Sequence, residues 1–492
     1  MREITARPSE AVEQSLYPRI GLYIGGNWIF DREKWSDVLN PSTGNVIGQV
    51  PKATLSDLES ALQCADAGFR IWRDTAPLKR AEIISKATSL IRQRVSDIAK
   101  ILTLEHGKTL AAAEGEITRS CRFYDWEAGQ ALRSYGWIVP GDATLQKRIL
   151  RQPVGAVIAI TPWNVPMSAF ARKTSAALAA GCSVIVKAAN ETPGTAVELV
   201  RCFEEAGLPP GVLNLVFGNP SEISTTLIGS PISRLVTFTG STEVGKHLTE
   251  LAARAMKPVL MELGGNAPVI VSAGVDAERI AVMAAEAKTR ASGQICASVS
   301  RFIIHERVYR PFVDAFGGAL EALRVGDGFD PKAQMGPLAN ARRLDAAQAI
   351  VSDASQRGAR IVTGGQTISN RGFYFEPTLI ADTPLDAEAM TVEPFSPIAS
   401  CVSVPDLEAA LSVANSVHVG LAGYAFTNSL SEAETIERRL EVGTLSINHF
   451  DTPDSDTPFG GVKDSGIGRE GGPTSLDAYQ VYKTVLQHSF AV

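Results

Sequence analysis

The sequence predicts an α/β protein with a doubly wound, Rossmann-like domain, a second α/β domain, and a β-hairpin arm. Three observations predict this. From Val154 onward, short apolar runs alternate with stretches of helical spacing, the pattern of parallel strands buried on both faces. A second series of such units begins after Glu262. Over residues 132–150, extended runs are interrupted by Gly136, Pro140 and Gly141, as in a hairpin that projects from the main body.

Residues 21–28 form short alternating segments, and helical spacing starts at Leu55. From Lys79 to Leu104 the apolar positions Ile83, Ile84, Ala87, Leu90, Ile91, Val95, Ile98 and Leu102 trace one helix face, with Gly107 as its stop. The regular part then predicts strands at 154–160, 183–187, 212–217 and 235–239. The helices between and after them are expected at 169–180, 194–206, 221–228 and 242–255. Such an alternation is that of a doubly wound dinucleotide-binding sheet. The second series predicts a strand at 269–271, a helix at 277–291, a strand at 302–304 and a helix at 308–323, with further units to about Ile447. The tail 479–492 alternates apolar and polar residues and predicts a strand added to a sheet edge, its own or another subunit's. The expected division is a dinucleotide-binding domain (1–130 and 152–262), a catalytic domain (263–460), and an oligomerisation arm (131–151 and 478–492).

A chain of 492 residues exceeds what one core usually holds, in keeping with several domains. Its 47 Lys+Arg against 53 Asp+Glu give a net charge of −6 with no basic cluster, so nucleic acid is not an expected partner. The first 13 residues are polar and unlike a secretory signal, and no long uncharged apolar stretch suggests a membrane span. Cysteines 64, 121, 182, 202, 296 and 401 lie without metal-ligand spacing. They read as reduced thiols of a cytoplasmic protein, and no metal site is expected.

Cys296 follows Gly293-Gln294-Ile295, just past a helical stretch. A nearby glycine gives backbone room for a substrate, and cysteine is a strong nucleophile; the alternative is an inert buried thiol. Glu262 ends an apolar run before Leu263-Gly264-Gly265-Asn266, at the hand-over between the two series. A partly buried Glu there is a candidate base for activating water; the alternative is a solvated strand end. Asn164, after Trp163 and between Pro162 and Pro166, is placed to aim its amide at a developing oxyanion, or else to cap a turn. Gly240-Ser241-Thr242-Glu243-Val244-Gly245 lies between a strand and a helix, where free N–H groups cradle phosphates, though it is not the usual G-x-G-x-x-G pattern. Lys187, at a strand end, is a candidate for adenosine ribose hydroxyls, or merely a charge closing that strand. The stretch from Pro458 to Glu470 carries four glycines, and with Phe459 and Arg469 it suggests a tight loop near a ligand rather than a flexible link.

Together these residues resemble the aldehyde dehydrogenase superfamily. The matching pieces are Trp163-Asn164, Lys187, Phe238-Thr239-Gly240-Ser241, Glu262-Leu263-Gly264-Gly265, Gly293-Gln294-Ile295-Cys296, Glu393-Pro394-Phe395 and Phe459-Gly460-Gly461. The resemblance spans about Leu22 to Thr484 and implies NAD or NADP as cofactor and a homodimer or homotetramer. It implies that Cys296 attacks an aldehyde, passing through a thiohemiacetal to a thioester, with the oxyanion held by Asn164 and the Cys296 N–H. Glu262 then activates the hydrolytic water. Glu393 would hold the nicotinamide ribose with Phe395 beside it, Gly240 and Ser241 would meet the pyrophosphate, and Phe459 would line the aldehyde entrance.

Three departures from the family pattern stand out. Lys187-Ala188-Ala189-Asn190 replaces Lys-Pro-Ser-Glu, and Asn190 removes a carboxylate that would repel a 2′-phosphate. Ser396 stands where a glycine is usual, and Ser298 leaves no second thiol near Cys296. Within the family the chain looks most like succinate-semialdehyde dehydrogenases and related ω-carboxy-aldehyde enzymes. Arg172 and Arg290 match positions that grip the substrate carboxylate there, a task suited to a guanidinium fork. Against this stand Asp451, Asp454 and Asp456, which repel an anion unless they point away or pair with Arg. The alternatives are structural ion pairs for both arginines and an uncharged aromatic or aliphatic aldehyde as substrate. A CoA-acylating relative commonly lacks the deacylating Glu, and a non-catalytic one would be expected to lose Cys296, Asn164 or Glu262; all three are present.

Overall fold

The computed structural model describes residues 15–141, 144–368 and 371–488; the polar first 13 residues and the last four of the tail lie outside the described residues. The first series forms an eight-stranded sheet with a parallel centre. Leu213–Val216, Ser183–Lys187, Ala156–Ile160, Ser233–Thr239 and Val259–Glu262 lie side by side in that order. Every residue of Ser183–Lys187 is buried, as expected of a strand covered by helices on both faces. Antiparallel strands finish the edges: Leu22–Ile24 and Asn27–Ile29 on one side, Gly466–Ile467 on the other. Gly25 and Gly26 join the first two with φ of 60° and 87°, the left-handed pair that a tight hairpin turn requires.

The order of strands reverses between Ala156–Ile160 and Ser233–Thr239. A reversal of this kind leaves a crevice at the carboxyl ends of the strands. Register brings those ends level, with Ile160 beside Lys187 and Phe238, and Thr239 beside Glu262. The segments that follow Ile160, Lys187, Thr239 and Glu262 therefore leave the sheet along one rim.

The second series forms a seven-stranded sheet in the order Arg360–Thr363, Thr378–Ala381, Ile398–Val404, Val299–His305, Ala267–Val271, Ala422–Phe426 and Thr444–Ile447. All neighbours are parallel except the first pair. Helices Ala277–Thr289 and Glu306–Ala322 cover it, and Phe302, Phe312 and Phe316 pack at centroid distances of 4.9–5.7 Å. The arm is a three-stranded antiparallel sheet of Trp137–Val139, Leu145–Pro153 and Gln480–His488. The tail strand thus joins the hairpin of its own chain.

Several elements differ from expectation, helix Pro166–Ala180 and strand Val299–His305 each starting three residues early. The apolar stripe from Lys79 to Leu104 belongs to two helices, Pro77–Gln93 and Val95–His106. Arg94 leaves helical geometry between them, held by Glu205 and by the Cys202 sulfur at 3.6 Å, while Ile91, Ile98 and Leu102 stay buried across the bend. Apolar spacing marks which face is buried; it does not encode such a tertiary anchor. The helix expected at 277–291 stops at Thr289, and the strand expected from Val154 starts at Ala156, after Gly155 at φ 132°.

Candidate active site

The loop leaving Ile160 carries Thr161-Pro162-Trp163-Asn164 into the crevice, and Pro166 opens helix Pro166–Ala180 at its first turn. Asn164 is buried, and its Nδ2 donates to the Gln294 carbonyl at 2.9 Å, two residues before Cys296. Its second amide hydrogen remains for another acceptor. The Asn164 carbonyl accepts from Lys108 Nζ at 3.1 Å. Lys108 is in a buried ion pair with Glu116, whose Oε1 accepts from the N–H groups of Met167 and Ser168 at 3.0 and 3.2 Å. Val165 offers that helix no side-chain cap, so Glu116 satisfies its first free donors. Sequence reading missed Lys108 and Glu116. Their only local signal is a charge before a helix and another inside it.

Cys296 sits on a loop of unusual backbone. After Thr289 the chain passes through Ala291, Ser292 and Gly293 at φ of 46°, 57° and 73°. Ser292 Oγ donates to the Gly336 and Pro337 carbonyls, and Gln294 Oε1 accepts from Ala339 N at 3.0 Å. A Cβ on Gly293 would overlap the Ser396 carbonyl oxygen. Ser396 is itself buried with its hydroxyl unpartnered. Behind the loop, Lys288 Nζ donates to Ser298 and Ser300, and Tyr424 donates to the Ala297 carbonyl at 2.8 Å. Burial, then the negative charges of Glu393 and Glu262, push the Cys296 thiol up to about 12, while Arg172 pulls it down.

Glu262 ends its strand with both carboxylate oxygens buried and unhydrogen-bonded. Burial, then the Glu470 carboxylate, raise it well above the ordinary carboxylate range, against Lys173, Arg172 and Arg469. Gly460 packs so closely that a Cβ there would stand 2.9 Å from Glu262 Oε1. Glu470 is in turn paired with the buried Lys173 at 2.8 Å. The glycine-rich segment is ordered, bridging Phe459 to Glu470 and pairing Gly466–Ile467 with the end of Val259–Glu262.

Candidates for a dinucleotide line the same crevice. Gly240 N donates to the Glu262 carbonyl at 3.1 Å, and Ser241 caps helix Thr242–Arg254, whose first turn is exposed. Glu393 has a buried Oε1 with no partner and is pushed up to about 7 by burial, against the Gly265 N–H, Arg343 and Lys288. A Cβ on Gly264 would stand 2.6 Å from Glu393 Oε2, so only glycine keeps that cradle open. Phe395, at φ 45°, meets the edge of Trp163 at 5.6 Å. Lys187 lies buried at its strand end, with burial lowering its ammonium pKa. Asn190 is bonded both ways to the Gly218 backbone, Nδ2 to the carbonyl at 3.1 Å and Oδ1 from the N–H at 3.2 Å. The orphaned Glu393 oxygen and the open glycine cradle fit a ribose and pyrophosphate.

On the far side of Cys296 a cavity of about 400 Å³ is lined by Phe123, Arg172, Arg290, Tyr424, Phe450 and Phe459, among others. The Arg172 guanidinium lies 4.1 Å from the Phe123 centroid and 5.0 Å from that of Phe459, with Nη1 buried and unpartnered. Arg290 is exposed and donates to the Phe450 carbonyl at 3.3 Å. Among the described residues neither arginine has a carboxylate within 4.0 Å, though the Glu470 and Glu262 charges act on Arg172. Asp454 pairs with Arg122 at 2.6 Å; burial raises its carboxyl, but Arg122 and the Ser455 N–H outweigh that and hold it below its ordinary range. A larger cleft of about 1010 Å³ between Lys52 and Glu222 holds no cysteine, and its Asp57 is already paired with Arg32.

The sequence profile of the Aldehyde dehydrogenase family matches residues 28–485. The chain is 42% identical to 4-(hydroxymethyl)benzenesulfonate dehydrogenase of Comamonas testosteroni, over 94% of this chain and 97% of that one. It is 37% identical to succinate semialdehyde dehydrogenase of Acinetobacter baylyi, over 96% and 98% respectively. Among solved structures, succinate-semialdehyde dehydrogenase from Burkholderia pseudomallei superposes with a TM-score of 0.94 at 37% identity, covering 96% of this chain and 99% of that one. The match of sequence and fold over nearly the whole chain shows that it belongs to the aldehyde dehydrogenase family and is an NAD(P)-dependent oxidoreductase acting on aldehydes.

Proposed function

We propose that the chain oxidises an aldehyde bearing an anionic group, such as an ω-carboxy semialdehyde, to the corresponding acid. The observation that carries this is the cavity ending at Cys296, in which Arg172 presents a buried, unpartnered Nη1. A guanidinium so placed has every reason to take an anion, since an unpaired buried charge is costly. The relatives named above act on a sulfonate and on a semialdehyde, both with an anion remote from the reacting carbon.

Cys296, its thiol proton lost to solvent, attacks the carbonyl carbon through Sγ to give the thiohemiacetal anion. Its oxyanion accepts from the free Asn164 amide hydrogen and the Cys296 N–H, a donor of this kind contributing ~3 kcal/mol in the transition state. The bound nicotinamide supplies the two-electron oxidation that leaves a thioester. Glu262 takes a proton from water, the hydroxide attacks the thioester carbonyl, and the acid leaves with the thiol restored. Glu393 would hold the nicotinamide ribose, with Trp163 and Phe395 alongside. Gly240 and Ser241 would meet the pyrophosphate at the open first turn of helix Thr242–Arg254, and Lys187 would reach the adenosine ribose. Asn190 brings no negative charge there, so NAD and NADP are both admitted. Phe459 and Arg290 guide the aldehyde inward. Residues 131–151 and 478–492 form the arm of a homodimer or homotetramer, beside a dinucleotide-binding domain (1–130 and 152–262) and a catalytic domain (263–460). Six free cysteines suit a cytoplasmic setting.

The test is reduction of NAD or NADP with succinate semialdehyde, a longer ω-carboxy aldehyde, benzaldehyde and hexanal. The expected result is fastest turnover on the carboxy aldehydes and none in Cys296→Ala. Preference for hexanal would overturn the anion reading, and an active Cys296→Ala the nucleophile.

A further inference from the structure

The mouth of the cavity holds a third guanidinium. Ala112, Gly115, Glu116, Arg119 and Phe123 all line it, and they recur at helical spacing on one face of helix Leu110–Ala131. Arg119 is exposed at the rim, one turn before Phe123, which underlies Arg172. A turn is about 5.4 Å of rise, so Arg119 and Phe123 mark an outer and an inner level of the same wall. Arg119 Nη1 donates to Thr452 Oγ1 at 3.2 Å, which fixes the guanidinium over the opening without neutralising it. Among the described residues Arg119 forms no ion pair, whereas its neighbour Arg122 is neutralised by Asp454.

Charge and shape then point the same way. Among the lining residues Lys108 and Glu116 cancel each other, leaving Arg119, Arg172 and Arg290 against Asp451, with the Glu470 and Glu262 carboxylates also acting on Arg172. Between the arginines the wall is aromatic: Phe123, Tyr424, Phe450 and Phe459. Flat apolar faces of this kind favour offset or edge contact with another ring. A short aliphatic semialdehyde offers no ring to cover those faces.

We propose that Arg119 is a specificity-determining residue that binds the anionic substituent of an aromatic aldehyde, whose ring lies among Phe123, Tyr424, Phe450 and Phe459 with its formyl carbon at Cys296. This rests on the proposed anionic-aldehyde oxidation and assigns it a ring and an outer anchor. Guanidinium and anion form charge-assisted hydrogen bonds at the rim, while Arg172, held between two rings, keeps the inner wall positive.

The test compares kcat/KM for 4-carboxybenzaldehyde, benzaldehyde and succinate semialdehyde in the wild type, Arg119→Leu, Arg119→Lys and Thr452→Val. In the wild type 4-carboxybenzaldehyde should be the best of the three. Arg119→Leu should lower its kcat/KM about 30-fold, chiefly through KM, the size expected for losing a charged hydrogen bond, and leave benzaldehyde unchanged. Arg119→Lys should restore part of the loss, and Thr452→Val should cost less than Arg119→Leu. An equal fall for all three aldehydes in Arg119→Leu would show a purely structural latch and overturn the assignment, as would an unchanged preference for 4-carboxybenzaldehyde. Benzaldehyde outrunning both anionic aldehydes in the wild type would instead sink the underlying anion reading. Succinate semialdehyde leading, with Arg119→Leu silent, would leave that reading intact and remove only the aromatic one.

Discussion

At the scale of single residues, Glu262 and Cys296 share one electrostatic problem. Glu262 is buried and Cys296 half-buried, the Glu262 charge raises the Cys296 thiol, and a carboxylate with no hydrogen bond to either oxygen has only the charges of Lys173, Arg172 and Arg469 set against its burial. The sign of the consequence follows directly. Glu262 must be unprotonated to accept a proton from water, and its pKa lies well above the ordinary carboxylate value. Turnover limited by thioester hydrolysis should therefore rise with pH through a range where exposed carboxylates are already fully ionised. In Glu262→Gln this limb should vanish, kcat should fall by about 10²–10⁴, and one equivalent of reduced nicotinamide per chain should still appear as a burst. Stopped-flow absorbance across pH separates the phases. Loss of the burst together with turnover would assign Glu262 to the first half of the reaction instead.

At the scale of elements, the nucleophile loop shows what sequence reading reaches and what it does not. Strand and helix alternation was legible because burial on both faces writes itself as apolar runs, and the rim residues Asn164, Lys187, Gly240 and Glu262 could be placed at strand ends from those runs. The halt of helix Ala277–Thr289 was not legible, because Ala291 and Ser292 are left-handed without being glycine or asparagine. They are held there by neighbours far along the chain, Gly336, Pro337 and Ser396. Lys108 and Glu116 escaped for the same reason, since their value lies in reaching Asn164 and Met167 across the fold. Gly293 tests this view of the loop. Gly293→Ala places a Cβ on the Ser396 carbonyl at a φ of 73°, so the loop must shift. A displacement of even about 1 Å costs on the order of 100-fold in rate. The expected result is that loss in kcat/KM with the far-ultraviolet circular dichroism of the wild type; wild-type rates would show that the backbone at Gly293 does not set the position of Cys296.

At the scale of the whole molecule, the three-stranded arm is the least self-sufficient part. Ile138 is 76% exposed and Leu486 65%, with Trp137 and Tyr482 also open to solvent and Arg151 lying over both rings. Among the described residues Trp137–Val139 and Gln480–His488 each leave one edge unpaired. A long open edge beside exposed apolar side chains is a template for association, which natural proteins cover or charge. A second copy of the arm and its surroundings is the proposed cover, and closed symmetry then limits the assembly to a defined multiple of the 52.4 kDa chain. Sedimentation velocity should find the wild type at such a multiple. Tyr482→Lys with Leu486→Lys, placing two charges on one face of that sheet, should shift it to the single-chain mass. The cavity and the crevice are built from one chain alone, so the separated subunits should keep most of their activity per chain, with a lower Tm as the exposed arm loses its cover. A double variant that still sediments with the wild type would place the contact elsewhere. Monomers without activity would mean that assembly holds the nucleophile loop or the crevice in its working shape.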